Sequence, residues 1–338
     1  MRSSKIAFLA VASLFFSLAE SQAAEKAPRT LTIYTSSNED FIRPIFKKFT
    51  EESGIAVNFV SDKGPVLIEK LKAEGTASAA DLFMTVDVGN LWLAGEAKLF
   101  APTKSAILEK NIPAPYRAPG NEWVGLSMRA RTIFYNPSKV KEADLKGYAD
   151  LATEKWKKRL CLRTSNNVYN QSLVASFLEN LGAKKSEEVL KGWMANLATD
   201  VFSSDTLVLE AIDAGQCDVG ISNTYYFARL LKKNPNANIR VFWPDQDGRG
   251  THVNVMGGGV LKSSKNKELA QEFLEWASGP TAQKLFASLS FEYPVNPNAE
   301  VDPLVASFGK FKADAMPLYK AGLHQQSAVK LMDRVGYK

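Results

Sequence analysis

Residues 31–60 read LTIYTSSNEDFIRPIFKKFTEESGIAVNFV. Leu31 to Tyr34 forms a short strand rich in strand-favouring residues, and Ala56 to Val60 forms another. Between them Phe41, Ile42, Ile45, Phe46 and Phe49 fall on one face at helical spacing. Ser36, Ser37, Asn38, Glu39 and Asp40 supply turn and capping residues, and Gly54 is a natural stop. A strand, a helix and a second strand in so short a stretch make a βαβ unit, the building block of a parallel sheet covered on both faces.

The same alternation continues on both sides of position 150. A helix over Val66 to Glu74, a strand over Asp81 to Thr85 and a helix over Leu91 to Ala97 extend the first unit. It restarts with a strand at Arg159 to Arg163 and helices over Asn170 to Leu181, Ser186 to Ala198 and Asp205 to Ala214. A strand at Asp218 to Ile221, a helix over Tyr226 to Lys233 and a strand at Ile239 to Trp243 follow, then a strand entered through Gly257-Gly258-Gly259 and an amphipathic helix around Leu269 to Ala277. Glu122 to Asn136 and Thr251 to Leu261 are candidate strands crossing between the two units. The expected organisation is an amino-terminal lobe over 30–130 with 252–300 returning to it, and a carboxy-terminal lobe over 131–251 with 301–338 packing on it. Lobes joined by more than one strand hinge without separating, and open α/β sheets bind ligands outside the carboxyl ends of their strands, here an interlobe cleft.

The 338 residues suit about two domains, and 45% hydrophobic with 23% charged residues excludes disordered and coiled-coil classes. Arg2 and Lys5, the apolar stretch Ile6 to Ala19 and Ser21-Gln22-Ala23 read as a signal peptide over 1–23, too short to span a bilayer. Its loss takes 42 basic and 36 acidic residues to 40 and 35, removing Arg2, Lys5 and Glu20, for a charge of about +5. That mild charge is interspersed with acids, which argues against nucleic-acid binding. In an exported chain Cys161 and Cys217 are expected to form a disulfide.

Enzyme signatures are missing: the sequence has no G-x-S-x-G, P-loop, H-E-x-x-H or dinucleotide fingerprint. His252 and His324 read as surface or hinge residues, Gly257 to Gly259 as a strand bend or an anion cradle, and Asp245 with Asp247 as a turn. The tyrosines carry more. Tyr225 and Tyr226 follow the strand ending near Asn223, and Tyr169 follows the turn Thr164-Ser165-Asn166-Asn167. Neighbouring side chains converge only where regular structure breaks, and a strand-to-helix junction is such a place. Three phenols in one cleft suit a hard trivalent cation such as Fe³⁺, whose charge displaces protons of pKa about 10. The alternatives are plain packing, or stacking on a sugar or an organic cation.

With Leu31-Thr-Ile-Tyr34, Ala80-Asp81-Leu82-Phe83, Arg129-Ala130-Arg131, Ser165-Asn166-Asn167-Val168-Tyr169-Asn170-Gln171-Ser172, Asn223-Thr224-Tyr225-Tyr226 and Glu292-Tyr293-Pro294-Val295-Asn296, the chain resembles the periplasmic ferric-iron-binding proteins, sometimes called bacterial transferrins. The resemblance spans about 30 to 300 and implies an α/β, two-lobed periplasmic binding protein type II fold with a hinged interlobe cleft. It implies Fe³⁺ held by Tyr169, Tyr225 and Tyr226, with Arg129 or Arg131 near the iron and an anion. It also implies delivery to an inner-membrane ABC permease. The loop after the first strand lacks the His or Tyr that many relatives place there, so the pattern is that of the three-tyrosine subgroup, in which carbonate or another small anion fills the remaining positions.

The resulting expectation is a periplasmic, monomeric, non-catalytic iron carrier. Ser36 or Ser165 would assist the anion, Arg229 would hydrogen-bond a phenolate, and Glu39 is a candidate direct ligand. The competing functions are a binding protein for an organic cation of the polyamine or thiamine type, and an exported hydrolase built on Glu39, Asp87 and His252.

Overall fold

Strand β1 (Thr30–Thr35) leads through α1 (Glu39–Ser53) to β2 (Ala56–Ser61), which lies parallel to it. Asn38 caps α1 by accepting from the Asp40 N–H at 2.8 Å, Ile42, Ile45, Phe46 and Phe49 are buried, and Gly54 ends the helix at φ 69°. The computed structural model describes residues 29–338, so the expected signal peptide, 1–23, lies outside the described residues. The chain continues through α2 (Gly64–Glu74), β3 (Leu82–Thr85), α3 (Val88–Glu96) and α4 (Ala106–Asn111) into the long strand β4 (Val124–Tyr135). Next come β5 (Leu160–Cys161), α5 (Val168–Ala195, broken at Gly182), α6 (Asp205–Asp213), β6 (Val219–Asn223), α7 (Thr224–Lys233) and β7 (Arg240–Phe242). The return runs through β8 (Val253–Val260), α8 (Lys267–Ser278), α9 (Pro280–Ser290) and β9 (Tyr293–Pro294), and the tail carries α10 (Pro303–Ala306), α11 (Leu318–Leu323) and α12 (Gln325–Arg334).

The strands join in the order β2-β1-β3-β8-β4-β6-β5, with β7 and β9 also pairing to β4. The exchange of partners along β4 and β8 creates the two-lobed α/β architecture. Residues 124–130 of β4 run antiparallel to β8, whereas Arg131 to Tyr135 run antiparallel to β6 and Ile133 to Tyr135 also face β7. β8 likewise carries β3 at its far end. β8 is buried along its whole length and β4 at every position but Met128, as strands sandwiched by helices must be. Cys161 and Cys217 form a disulfide across 56 positions, tying β5 to the segment before β6.

Gly257 to Gly259 do not form an anion cradle. They lie inside β8, where a Cβ on Gly257 would sit 2.3 Å from the Val124 carbonyl and one on Gly259 would sit 2.2 Å from the Glu122 carbonyl. Only a missing side chain allows the neighbouring backbone that close. The tail also differs from expectation. α12 packs on α5, but α11 packs on both α5 and α3, with Gly322 against the Trp92 ring. Lys320 and His324 reach Glu179 of α5 at 2.8 and 2.9 Å. Helix α11 therefore touches elements of both lobes, while α10 packs on α7 and α12 on α5. No helix among the described residues is long and apolar enough to cross a membrane.

Replacing Gly259 by alanine forces the crossing strands apart. Gly259→Ala is expected to lose about 1–3 kcal/mol of unfolding free energy in urea titrations, the usual cost of overpacking.

Candidate functional site

Two strand-to-helix junctions build the site. After β5 the loop 164–167 enters α5, where the Asn167 side chain accepts from the Tyr169 N–H at 2.9 Å. Capping by Asn167 starts the helix before Tyr169, which sits in its first turn and not ahead of it. Asn170 fastens the loop by donating to the carbonyls of Arg163 and Thr164, both at 2.9 Å. At the second junction Asn223 precedes α7, and Tyr225 and Tyr226 occupy its first turn. Their rings lie 4.3 Å apart at 38°. Asn223 donates to the Tyr225 hydroxyl at 3.3 Å, and that hydroxyl approaches Tyr169 closely enough to favour its ionised form.

The three phenols face a cleft of about 300 Å³. Ser36, Asn38, Phe41, Arg129 and Glu292 also line it. A larger groove of about 1090 Å³ runs past Tyr148, Trp243 and Arg249, but Arg249 is already paired with Asp245 and Asp314 at 3.6 and 3.8 Å. The chemistry converges in the smaller space.

Positive charge surrounds the phenols. Arg129 donates to the Val86 carbonyl, lies 3.5 Å from the Asp87 carboxylate and sits 5.3 Å over the Tyr169 ring. Its Nε and Nη1 have no partner among the described residues. Arg163 donates to Asp205 at 2.6 Å and its guanidinium is favoured by the neighbouring Tyr226 hydroxyl, while its Nε is unpartnered. Arg229 is stacked between Phe41 at 4.4 Å and Tyr225 at 4.8 Å, again with an unpartnered Nε. Buried donors left without acceptors are costly, so the cleft is built to receive an acceptor from outside. Burial pushes the Tyr225 phenol well above its ordinary value, a shift that the neighbouring Tyr169 and Tyr226 enlarge. Burial also raises Tyr169, with Arg129 opposing the shift. Among the described residues no group of three or more His, Cys, Asp or Glu could hold a metal.

The structure thus brings together Tyr169, Tyr225, Tyr226, Arg129, Ser36 and Arg229, and leaves three expected residues out. Glu39 opens α1 on the solvent side and pairs with Arg43 at 2.6 Å, because the Asn38 cap turns the helix start outward. Ser165 spends its backbone on the Lys338 carbonyl at 2.8 Å and the Gln171 amide at 3.1 Å, away from the cleft. Arg131 is consumed by Asp205 at 2.8 Å, Asn223 at 3.0 Å and Asn170 at 2.6 Å. It clamps the starts of α5, α6 and α7 and cannot turn to an anion. Arg229 stacks on the aromatic rings, a contact different from the hydrogen bond expected of it. His252 is buried at the start of the β8 crossing, not on the surface, and burial holds its imidazole well below the ordinary 6.5. The candidate hydrolase set falls apart, since Glu39 is exposed while Asp87 and His252 are buried without contact to it.

Sequence pattern assigns no role to Arg163 or Glu292. Arg163 was detectable as the last strand residue before the tyrosine loop; Glu292 is remote in sequence from every tyrosine of the site.

Asp87 sits behind Arg129, fully buried, accepting from Gly89 N–H at 2.7 Å, Ser172 Oγ at 2.8 Å and Asn254 Nδ2 at 2.8 Å. Ser172 belongs to the carboxy lobe and Asn254 to a crossing strand, so one carboxyl joins both lobes. Burial raises its pKa from 3.8 to about 6, against the pull of Arg129 and these donors.

The profile of the bacterial extracellular solute-binding protein family matches residues 45–313. Iron uptake protein A1 of Synechocystis sp. is 41% identical over 314 residues, covering 91% of this chain and 87% of that one. The Fe(3+)-binding periplasmic protein of Serratia marcescens is 32% identical over 340 residues, covering 99% of each. The solved structure of the Trichodesmium protein IdiA (FutA) in complex with iron and citrate superposes with a TM-score of 0.88 at 42% identity, over 91% of this chain and 100% of that one.

The raised carboxyl has a consequence for stability. The unfolded chain gives up the Asp87 proton near 3.8 and the folded chain near about 6, so the folded state holds the extra proton between them and stability falls as pH climbs through that window. Asp87→Asn lacks this slope. Urea titrations at pH 4 and pH 7 are expected to show the wild type losing about 2 kcal/mol relative to the variant.

Proposed function

The chain belongs to the bacterial extracellular solute-binding protein family, among its ferric-iron-binding members, and we propose that it is an exported, non-catalytic carrier that takes Fe³⁺ into the interlobe cleft and hands it to an inner-membrane ABC permease. The observation that carries this function is the meeting of Tyr169, Tyr225 and Tyr226 in one cleft ringed by guanidinium groups with unused donors.

Charge balance selects the cargo. Ionising one ordinary phenol at pH 7 costs about 4 kcal/mol, and three cost about 12 kcal/mol before burial adds more. A trivalent ion recovers that through three phenolate bonds, which cancel its charge; a singly charged organic cation does not. The same guanidinium groups that favour phenolates would repel a polyamine or a thiamine-like solute. Three phenolates leave coordination positions open, and the free donors of Arg129, with Ser36 across the cleft, are placed for a small oxyanion such as carbonate or a carboxylate. Arg229, held between Phe41 of α1 and Tyr225 of α7, keeps a cation against the phenolates and links the lobes. The positive ends of α5 and α7 favour the anionic rings as well.

Adding Fe³⁺ with bicarbonate or citrate is expected to give a visible phenolate-to-iron absorption band. Tyr225→Phe is expected to shift that band and weaken binding on the order of 100-fold or more. A colourless wild-type protein under these conditions overturns the function. Three phenols must lose protons for each ion bound, so affinity is expected to fall about 1000-fold per pH unit in competition with a chelator between pH 7 and pH 5. A pH-independent affinity would exclude phenolate ligation.

A further inference from the structure

Helix α9 ends in an unusual way. Phe291, a bulky residue, adopts the left-handed conformation at φ 58° while its N–H bonds the Ala287 carbonyl. L-residues of this size avoid that region, and such outliers persist where the surrounding structure demands them. What the turn achieves here is the placement of Glu292, which lines the tyrosine cleft and is only 9% exposed.

One oxygen of Glu292, Oε2, accepts from the Ser127 hydroxyl of β4; Oε1 has no hydrogen bond, and no Lys, Arg or His forms an ion pair with this carboxylate among the described residues. Ser127 and Arg129 are two apart on β4 and share a face, so a carboxylate and a guanidinium stand side by side in the cleft. A nearly buried carboxylate with one neutral donor and no ion pair has an oxygen available for a further partner.

Building on the ferric-iron function, we propose that Glu292 is a further iron-binding residue, whose Oε1 bonds directly to the ion from the amino-lobe side, the position that Glu39 does not fill. The set would then be three phenolates from the carboxy lobe and one carboxylate from the amino lobe, an arrangement that couples cargo binding to closure of the cleft.

Glu292→Gln tests this, because glutamine keeps the size and can still accept from Ser127 while losing the charge. The full chain, wild type and variant, is titrated with Fe³⁺ and bicarbonate beside Tyr225→Phe. The variant is expected to keep the wild-type melting temperature without metal, to bind iron at least about tenfold more weakly, and to move the absorption maximum to longer wavelength, since fewer anionic donors leave the iron a stronger acceptor. An unmoved maximum overturns the assignment whatever the affinity, because a distant charge weakens binding without altering the ion's ligands. If Glu292→Gln does not fold, Glu292→Asp, which keeps the charge but shortens the reach, gives the same readout. When Tyr225→Phe alters the band and Glu292→Gln does not, only the Glu292 assignment fails; a colourless wild type removes the ferric function with it.

Discussion

The buried guanidinium of Arg131 holds the site together. It binds Asn170 in the first turn of α5, Asp205 at the start of α6 and Asn223 at the start of α7, at 2.6 to 3.0 Å. Asp205 in turn takes Arg163 at 2.6 Å. A lone buried charge is prohibitively expensive, but here the arginine has a carboxylate and two amide oxygens in fixed positions. Because its partners are the residues beside the tyrosines, satisfying this one charge sets where two helices begin and therefore where three phenols meet. The Tyr148 hydroxyl donates to the Arg131 carbonyl and accepts from the His252 N–H, extending the fixed network to both crossing strands.

Helix starts are suited to this work. Their first turns stand at the ends of strands, and their unpaired N–H groups and positive ends tolerate anions nearby. Asparagine serves at both junctions, as the capping side chain before α5 and as the donor to Tyr225 before α7. Burial opposes ionisation of the Tyr169 and Tyr225 phenols. In the function proposed, binding exchanges phenol protons for a metal charge, which would favour highly charged cations and make the cleft sensitive to acid.

The elements that join the lobes are polar as well as structural. β4 and β8 cross between them, Asp87 gathers donors from both sides, and α11 wedges between α3 and α5. Arg229 spans the cleft mouth between Phe41 and Tyr225. Each of these contacts ties one lobe to the other.

Local pattern determined much of this protein. Hydrophobic spacing in α1 and α8, glycine stops, the two crossing strands and the tyrosines at strand-to-helix junctions are all legible in the chain, because helices and strands are set by nearest neighbours and the junctions follow from them. The pair Cys161 and Cys217 was legible from export alone. Side-chain direction was not. Arg129 and Arg131 project from the same face of one strand, yet one reaches the cleft and the other is taken by Asp205, a distinction made by α6 from more than seventy positions away. Glu39 and Glu292 exchanged expectations for a similar reason: a capped helix carries one outward, and a left-handed residue turns the other inward. Sequence spacing settles which residues stand at a strand's end. Which charges they must answer there depends on distant segments that packing alone brings near.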